Sequence, residues 1–156
     1  MPLTLDTIRR APKVLLHDHL DGGLRPRTVI ELADETGYAG LPTTNEAELG
    51  RWFTRGADRK SLELYLETFA HTVGVMQTAD AIARVARECA EDLASDGIVY
   101  AEVRYAPELS TERGLSLDAV TEAWLDGFRQ GAERAAAAGH PIIVRALATA
   151  MRQADR

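Results

Sequence analysis

Three short runs of β-type residues, separated by longer helical stretches, define the folding pattern of this chain. The runs are Lys13 to His17, Ile98 to Tyr105 and Ile142 to Ala148. Strands that alternate with helices in this order are typical of parallel sheets joined by helical crossovers. The sequence therefore predicts an α/β fold with three parallel strands.

The helical stretches carry recognisable start and stop signals. Pro26 is suited to a first helical turn, and Gly37 ends that helix. Thr78 and Ser116 are expected to cap two further helices, which end near Asp96 and Ala138. Ser61 is expected to cap another helix, whose apolar side chains recur with a period of 3.6 residues. Those side chains are Leu62, Tyr65, Leu66, Phe69 and Val73.

Residues 38–75 are interpreted as a helical insertion between the first and second strands. Gly, Pro, Thr and Asn punctuate its beginning, around a possible short helix from Glu46 to Phe53. Thr43 and Glu46 have the spacing of a capping box.

Three parallel strands do not complete a sheet, because both outer strands would expose unpaired amides and carbonyls. A (β/α)8 barrel typically needs about 250 residues, and this chain supplies about three of the eight strands. We therefore expect residues 1–156 to be the amino-terminal part of one domain. The predicted fold class is α/β, an incomplete (β/α)8 TIM-type barrel made of the first three strands with their helices.

Charge and composition exclude several classes of partner. Eighteen basic and 24 acidic residues give a net charge of -6, without a cluster of Lys or Arg, which disfavours nucleic acid and anionic membranes. No apolar stretch approaches the ~20 residues of a membrane span. The start of the chain is charged and lacks the apolar block of an export signal, so a cytoplasmic location is expected. The single cysteine, Cys89, is expected to be a small buried hydrophobe.

A pair of histidines lies at the end of the first predicted strand. Because side chains two residues apart share a face of a strand, His17 and His19 can both point toward one ion. Zinc accepts imidazole nitrogen, but a catalytic zinc site commonly has three protein ligands, so this pair alone is insufficient. In parallel (β/α) folds the catalytic groups come from the carboxyl ends of strands, which is where this pair lies.

Other polar residues have both structural and functional interpretations. Asp21 precedes two glycines, where it could serve a ligand or simply bond its own turn. Glu102 and Arg104 share a strand face, and we expect them to form a structural ion pair. His140 precedes the third strand and His71 belongs to a connecting helix, so neither is expected to complete a metal site.

Three stretches of the chain resemble the adenosine deaminase family. Residues 12–23 read PKVLLHDHLDGG, similar to the family's opening strand, P-K-x-x-L-H-x-H-L-D-G. Residues 100–107, YAEVRYAP, are similar to its second strand, and residues 142–152 resemble its third strand with the trailing Met-Arg. Together these stretches extend the resemblance over the whole chain.

The resemblance implies a role for several residues. His17 and His19 would hold one zinc ion, with His19 also near the substrate, and Asp21 would bond a ribose hydroxyl. The apolar wall over the nucleoside would come from the helix carrying Leu62, Tyr65, Leu66 and Phe69, although core packing explains each of these side chains equally well. The implied reaction is zinc-dependent hydrolytic deamination of adenosine or deoxyadenosine, which yields inosine and ammonia.

The family's remaining catalytic groups have no counterpart in residues 1–156. These are a third zinc histidine, a metal-binding aspartate, a glutamate that protonates the purine and a histidine beside the attacking water. We therefore assign no catalytic acid or base within the chain. The isolated chain is expected to be inactive and to need the remaining barrel strands, in the same polypeptide or another.

Two alternatives to an adenosine deaminase stay open at this point. One is an adenine deaminase or related amidohydrolase, with the same metal pair but no ribose to recognise. The other is a truncated remnant or interaction fragment without catalytic activity, which exposes its sheet edges to a partner.

Overall fold

The structure is a computed structural model that describes the backbone of residues 3–58 and 62–152 and the side chains of 3–58 and 65–152. Six helices and three strands are described in these ranges. They are α1 (Leu5–Arg10), β1 (Lys13–His19), α2 (Pro26–Thr36), α3 (Glu46–Ala57), α4 (Leu62–Val75), α5 (Ala79–Ser95), β2 (Ile98–Tyr105), α6 (Leu117–Ala137) and β3 (Ile143–Ala148). Short 3-10 helices follow β1, at Leu20–Gly22, and β2, at Pro107–Ser110.

The three strands form one parallel sheet in the order β1-β2-β3, which confirms the predicted topology. Strand β1 is two residues longer than expected, because Asp18 and His19 still pair with Val103 and Arg104 of β2. The histidines therefore lie within the strand itself, and the backbone holds their positions.

Helices cover one face of this sheet. Ala101, Val103 and Tyr105 of β2 point to that face and are buried, and Tyr105 packs edge-on against Trp124 of α6. Val99, near the start of the strand, is 43% exposed.

The opposite face of the sheet is largely open to solvent. Val14, Tyr100 and Ile143 are in register on the three strands, so their side chains lie on the same side. Val14 is 58% exposed and Ile143 is 53% exposed. In a closed barrel this face would be the interior.

The structure confirms the predicted start and stop signals of helices α2, α5 and α6. Gly37 follows α2 in the left-handed conformation, with φ of 69°, which a glycine adopts without strain. The Thr78 hydroxyl accepts from the Ala81 amide at 3.2 Å, and Ser116 caps α6 in the same way. Helices α5 and α6 approach so closely at Gly127 that a Cβ there would run into the Ala83 carbonyl oxygen.

The region between α2 and α5 departs from the predictions in detail. Helix α3 extends four residues beyond Phe53, and its cap is Asn45, whose Oδ1 accepts from the Glu48 amide at 3.0 Å. Thr43, the predicted cap, instead donates its hydroxyl to the Glu48 carboxylate. The predicted Ser61 cap lies outside the described residues, and α1 was not predicted at all.

None of the helices in the described ranges is long and apolar enough to cross a bilayer.

Candidate functional site

The two imidazoles stand side by side near the carboxyl end of β1. Their ring centres are 5.4 Å apart and the ring planes are tilted by 40°. The His19 side chain is 50% exposed, and His17 is exposed as well. Asp21 Oδ1 lies 4.0 Å from His19 Nδ1.

This arrangement fits part of a zinc site. Two imidazoles that share one zinc ion, with Zn–N distances of about 2.0–2.1 Å, place their ring centres roughly 5–6 Å apart. Nitrogen atoms on neutral imidazoles are suitable zinc ligands. The described residues contain no cluster of three or more His, Cys, Asp or Glu side chains that could hold a metal. His17 and His19 therefore match two of the three protein ligands common at catalytic zinc.

Asp21 lies in the 3-10 helix directly after the histidine pair. Its side chain is only 10% exposed, and burial raises the pKa of its carboxyl group. A hydrogen bond from its own backbone amide and the proximity of His19 act in the opposite direction. The turn thus places a largely buried carboxyl group within reach of the His19 ring.

Asp21 opens onto a cleft of about 460 Å³ between the carboxyl edge of β1 and helices α3 and α4. Phe53 of α3 and Tyr65 and Phe69 of α4 supply aromatic walls. Thr68 of α4 adds a hydroxyl group that already donates to the Tyr65 carbonyl at 2.7 Å. The cleft is therefore mostly apolar, with one carboxyl group at its edge.

Gly22 joins the cleft to the imidazole pair. A Cβ at this position would lie 3.6 Å from the Phe69 ring and 3.6 Å from the His19 Cβ. Phe69 in turn packs edge-on against Tyr65, with ring centres 5.2 Å apart. The aromatic wall and the histidines are thus neighbours across one small residue.

The four residues expected to form an apolar wall behave differently in the structure. Tyr65 and Phe69 line the cleft, whereas Leu66 does not line it and is 53% exposed. The side chain of Leu62 lies outside the described residues. Phe53 and Thr68 were missed, since their place in the cleft depends on how α3 packs on α4 and no local pattern signals it.

The expected ion pair between Glu102 and Arg104 does not form. Glu102 Oε1 instead accepts from the Tyr100 hydroxyl at 2.9 Å. The Arg104 Nε is buried and has no hydrogen-bond partner among the described residues. Tyr100 and Arg104 are both two residues from Glu102 on the same face of the strand, and it is the Tyr100 hydroxyl that bonds the carboxylate.

His71, His140 and Cys89 are not among the residues that line the cleft. His71 Nδ1 is 2.9 Å from the Tyr38 hydroxyl, and burial lowers the pKa of this imidazole. His140 precedes β3, at the amino edge of the sheet. Cys89 was predicted to be buried; it is partly buried against the core, and this burial raises the pKa of its thiol to about 12.

Sequence comparisons match this chain to one family throughout. The family profile described as "Adenosine deaminase" matches residues 12–156. Adenosine deaminase 1 of Streptomyces coelicolor is 68% identical over 151 residues, which cover 97% of this chain and 38% of that protein. Adenosine deaminase of Mycolicibacterium gilvum is 64% identical over 155 residues, 99% of this chain and 43% of that protein. The chain thus spans about two fifths of the length of these relatives.

Solved structures share the fold over a similar extent. The crystal structure of the Arabidopsis N6-mAMP deaminase MAPDA aligns with a TM-score of 0.71 and 29% identity, over 92% of this chain and 42% of that chain. A cog1816 amidohydrolase from Burkholderia ambifaria, with bound Zn, aligns with a TM-score of 0.72 over 95% of this chain and 39% of that chain. At 22% identity the second likeness supports the fold alone. The architecture is that of a partial (β/α)8 barrel, as predicted.

Proposed function

This chain belongs to the adenosine deaminase family, and from that premise we propose that it supplies part of a zinc-dependent site for the hydrolytic deamination of adenosine and deoxyadenosine to inosine and ammonia. One observation carries the proposal. The His17 and His19 imidazoles stand 5.4 Å apart beside a largely buried Asp21 at the edge of an aromatic cleft.

His17 and His19 are the residues of this chain that would hold the zinc ion. A zinc ion at this position supplies Lewis-acid activation of water at neutral pH. The two imidazoles would bind the ion as neutral ligands, each through a ring nitrogen, and β1 fixes the spacing between them.

Asp21 and the aromatic cleft would hold the nucleoside. An ionised carboxylate only accepts hydrogen bonds, so it suits a ribose hydroxyl as donor. Tyr65 and Phe69 offer ring faces for a purine and exclude water from the space beside it. Residues 38–75, the proposed insertion, place these rings opposite the carboxyl edge of β1.

The proposed reaction needs groups that residues 1–156 do not supply. A third zinc ligand and the acid and base groups would come from the remaining barrel strands, in the same polypeptide or in another. The isolated chain would accordingly be inactive. We place the complete enzyme in purine metabolism in the cytoplasm.

The decisive experiment uses a hybrid protein in which this chain replaces the matching segment of the Streptomyces coelicolor relative. We expect the hybrid to convert adenosine to inosine, as followed by ultraviolet absorbance. Changing His17 or His19 to Ala should reduce kcat by about 1,000-fold or more, because the metal loses a ligand. The matched control is His140→Ala, at the opposite edge of the sheet, which should leave turnover unchanged.

Two results would overturn the proposal. One is a folded hybrid that binds zinc and does not deaminate adenosine. The other is a His19→Ala hybrid that retains most of its turnover.

A further inference from the structure

The segments that follow β2 and β3 meet at the carboxyl edge of the sheet. Strand β2 leads into the 3-10 helix Pro107–Ser110, and β3 leads into residues 149–152, which we call the rim segment. In (β/α) barrels the active site forms at this edge, from loops of this kind. How the two segments hold each other therefore bears on the site.

The 3-10 helix after β2 is firmly anchored. Ser110 is fully buried, and its hydroxyl donates to the Met76 carbonyl and lies 2.6 Å from the Tyr105 hydroxyl. The Gln77 side-chain amide donates to the Leu109 carbonyl at 2.8 Å. Since Met76 and Gln77 directly follow α4, these bonds connect the helix of the aromatic cleft to the end of β2.

The rim segment is held by two contacts of different kinds. The Thr149 amide donates to the Tyr105 carbonyl at 3.0 Å, which extends the strand ladder by one residue. Two residues later, the Met151 amide donates to Glu108 Oε1 at 2.5 Å. The first bond is between backbones, whereas the second depends on a single side chain.

We propose that Glu108 is a positioning residue, which holds the rim segment at the carboxyl edge of the sheet, where the site forms, and thereby sets ligand affinity; this inference rests on the proposed function. A carboxylate that accepts from a backbone amide forms a charge-assisted bond, stronger than a neutral one. Glu108 extends from a rigid support, because its own backbone carbonyl accepts from the Thr111 hydroxyl at 2.8 Å. Geometric placement of loops at a site has large effects on turnover and affinity.

The same contacts give the site a shared support. Tyr65 and Phe69 line the cleft from α4, and the end of α4 is bonded to the 3-10 helix through Ser110. Glu108 then passes that support on to the rim segment. The 3-10 helix Pro107–Ser110 is thus bonded both to the end of the helix that lines the cleft and to the rim segment.

Amide hydrogen exchange of this chain tests the contact directly. In Glu108→Ala the Met151 amide should exchange about tenfold faster or more, since its acceptor is gone. Glu108→Asp keeps the charge but shortens the reach, and it should show the same acceleration if the alanine variant does not fold. Glu108→Gln keeps an acceptor oxygen but loses the charge, so its rate should lie between those of the parent and the alanine variant and closer to the parent.

Two internal controls separate this effect from general destabilisation. The Thr149 amide has a backbone acceptor and should exchange at the parent rate in every variant. Glu112 is an exposed carboxylate four residues further along, so Glu112→Ala should change neither amide. Unchanged Met151 exchange in the alanine and aspartate variants, or equal acceleration at Thr149, overturns the proposal.

Kinetics of the hybrid protein test the consequence for the site. Glu108→Ala should raise KM for adenosine about tenfold with a smaller change in kcat, and Glu108→Gln should restore it. An active parent hybrid with the same KM in Glu108→Ala contradicts the positioning role. A parent hybrid without deaminase activity contradicts the proposed function instead, and the exchange experiment still decides whether Glu108 holds the rim segment.

Discussion

The helix-covered face of the sheet and its carboxyl edge are built in opposite ways. On the covered face, Trp124 is fully buried between Tyr105 and Phe128. Helices α5 and α6 lie so close together there that only a glycine fits at position 127. At the carboxyl edge, the His19 side chain is 50% exposed and the cleft beside Asp21 is open. Apolar packing thus concentrates on the covered face, and the groups suited to chemistry lie at the edge.

This contrast teaches that stability and ligand binding should respond to different substitutions. Buried side chains lose transfer energy and leave cavities when they are shortened. Exposed imidazoles make few contacts, so their loss should matter to a ligand far more than to folding.

The largest effect is expected on the covered face. Trp124→Ala should lower the free energy of unfolding by about 3–5 kcal/mol, because a fully buried ring is replaced by a cavity. Urea denaturation of the chain measures this. Leu125→Ala, one residue along and 49% exposed, is the matched control and should cost less than about 1 kcal/mol. Similar losses of unfolding free energy in the two variants would contradict the expectation that burial on the covered face decides stability.

The imidazole pair should show the reverse behaviour. His17→Ala should reduce the zinc affinity of the hybrid protein by about 100-fold or more, as measured by competition with a chelator. The same change should shift the free energy of unfolding of the metal-free chain by less than about 0.5 kcal/mol. A large loss of stability without metal would mean that the pair is structural.

Asp21 distinguishes a nucleoside site from a free-base site. Asp21→Asn should reduce kcat/KM for adenosine by about tenfold or more, because a hydrogen bond to a charged acceptor is weakened. An adenine deaminase, which has no ribose to recognise, should be nearly insensitive to this change. Parallel assays of the hybrid with adenosine and adenine decide between them, and unchanged adenosine turnover argues against a ribose contact.

The smallest effect concerns His71 of α4, which contacts Tyr38 and Trp52. Its pKa in the folded chain is lowered from 6.5 by burial, so the unfolded chain takes up the proton first as pH falls. Stability should therefore be fully present above pH 6.5 and decline below it. Urea midpoints between about pH 5 and pH 7.5 should decline less in His71→Asn than in the parent. The exposed His140→Asn serves as control, and identical pH profiles for parent and His71→Asn would contradict the assignment.

Local patterns in the sequence predicted most of the fold. The cap residue Thr78 located the start of α5, and the run of β-type residues from Ile98 to Tyr105 located β2. These features depend on neighbours within a few residues, which a single sequence displays. The α3 cap was misplaced by two residues because Thr43 and Asn45 both offer side-chain oxygens, and only the folded backbone selects Asn45.

The candidate site was predicted less completely. His17, His19 and Asp21 could be proposed from the sequence because they are close together in it and follow a strand, and their roles stay a prediction. The expected pairing of Glu102 with Arg104 failed, since Tyr100 is the partner that reaches the carboxylate.

The sequence by itself determined the order of strands and helices, the parallel sheet and the spacing of the two histidines on β1. Each of these follows from side-chain periodicity along a few consecutive residues. Only the tertiary structure decided that Phe53 and Thr68 join Tyr65 in one cleft, and that Glu108 reaches the Met151 amide. Those contacts join residues far apart in the chain, and their geometry depends on how whole elements pack.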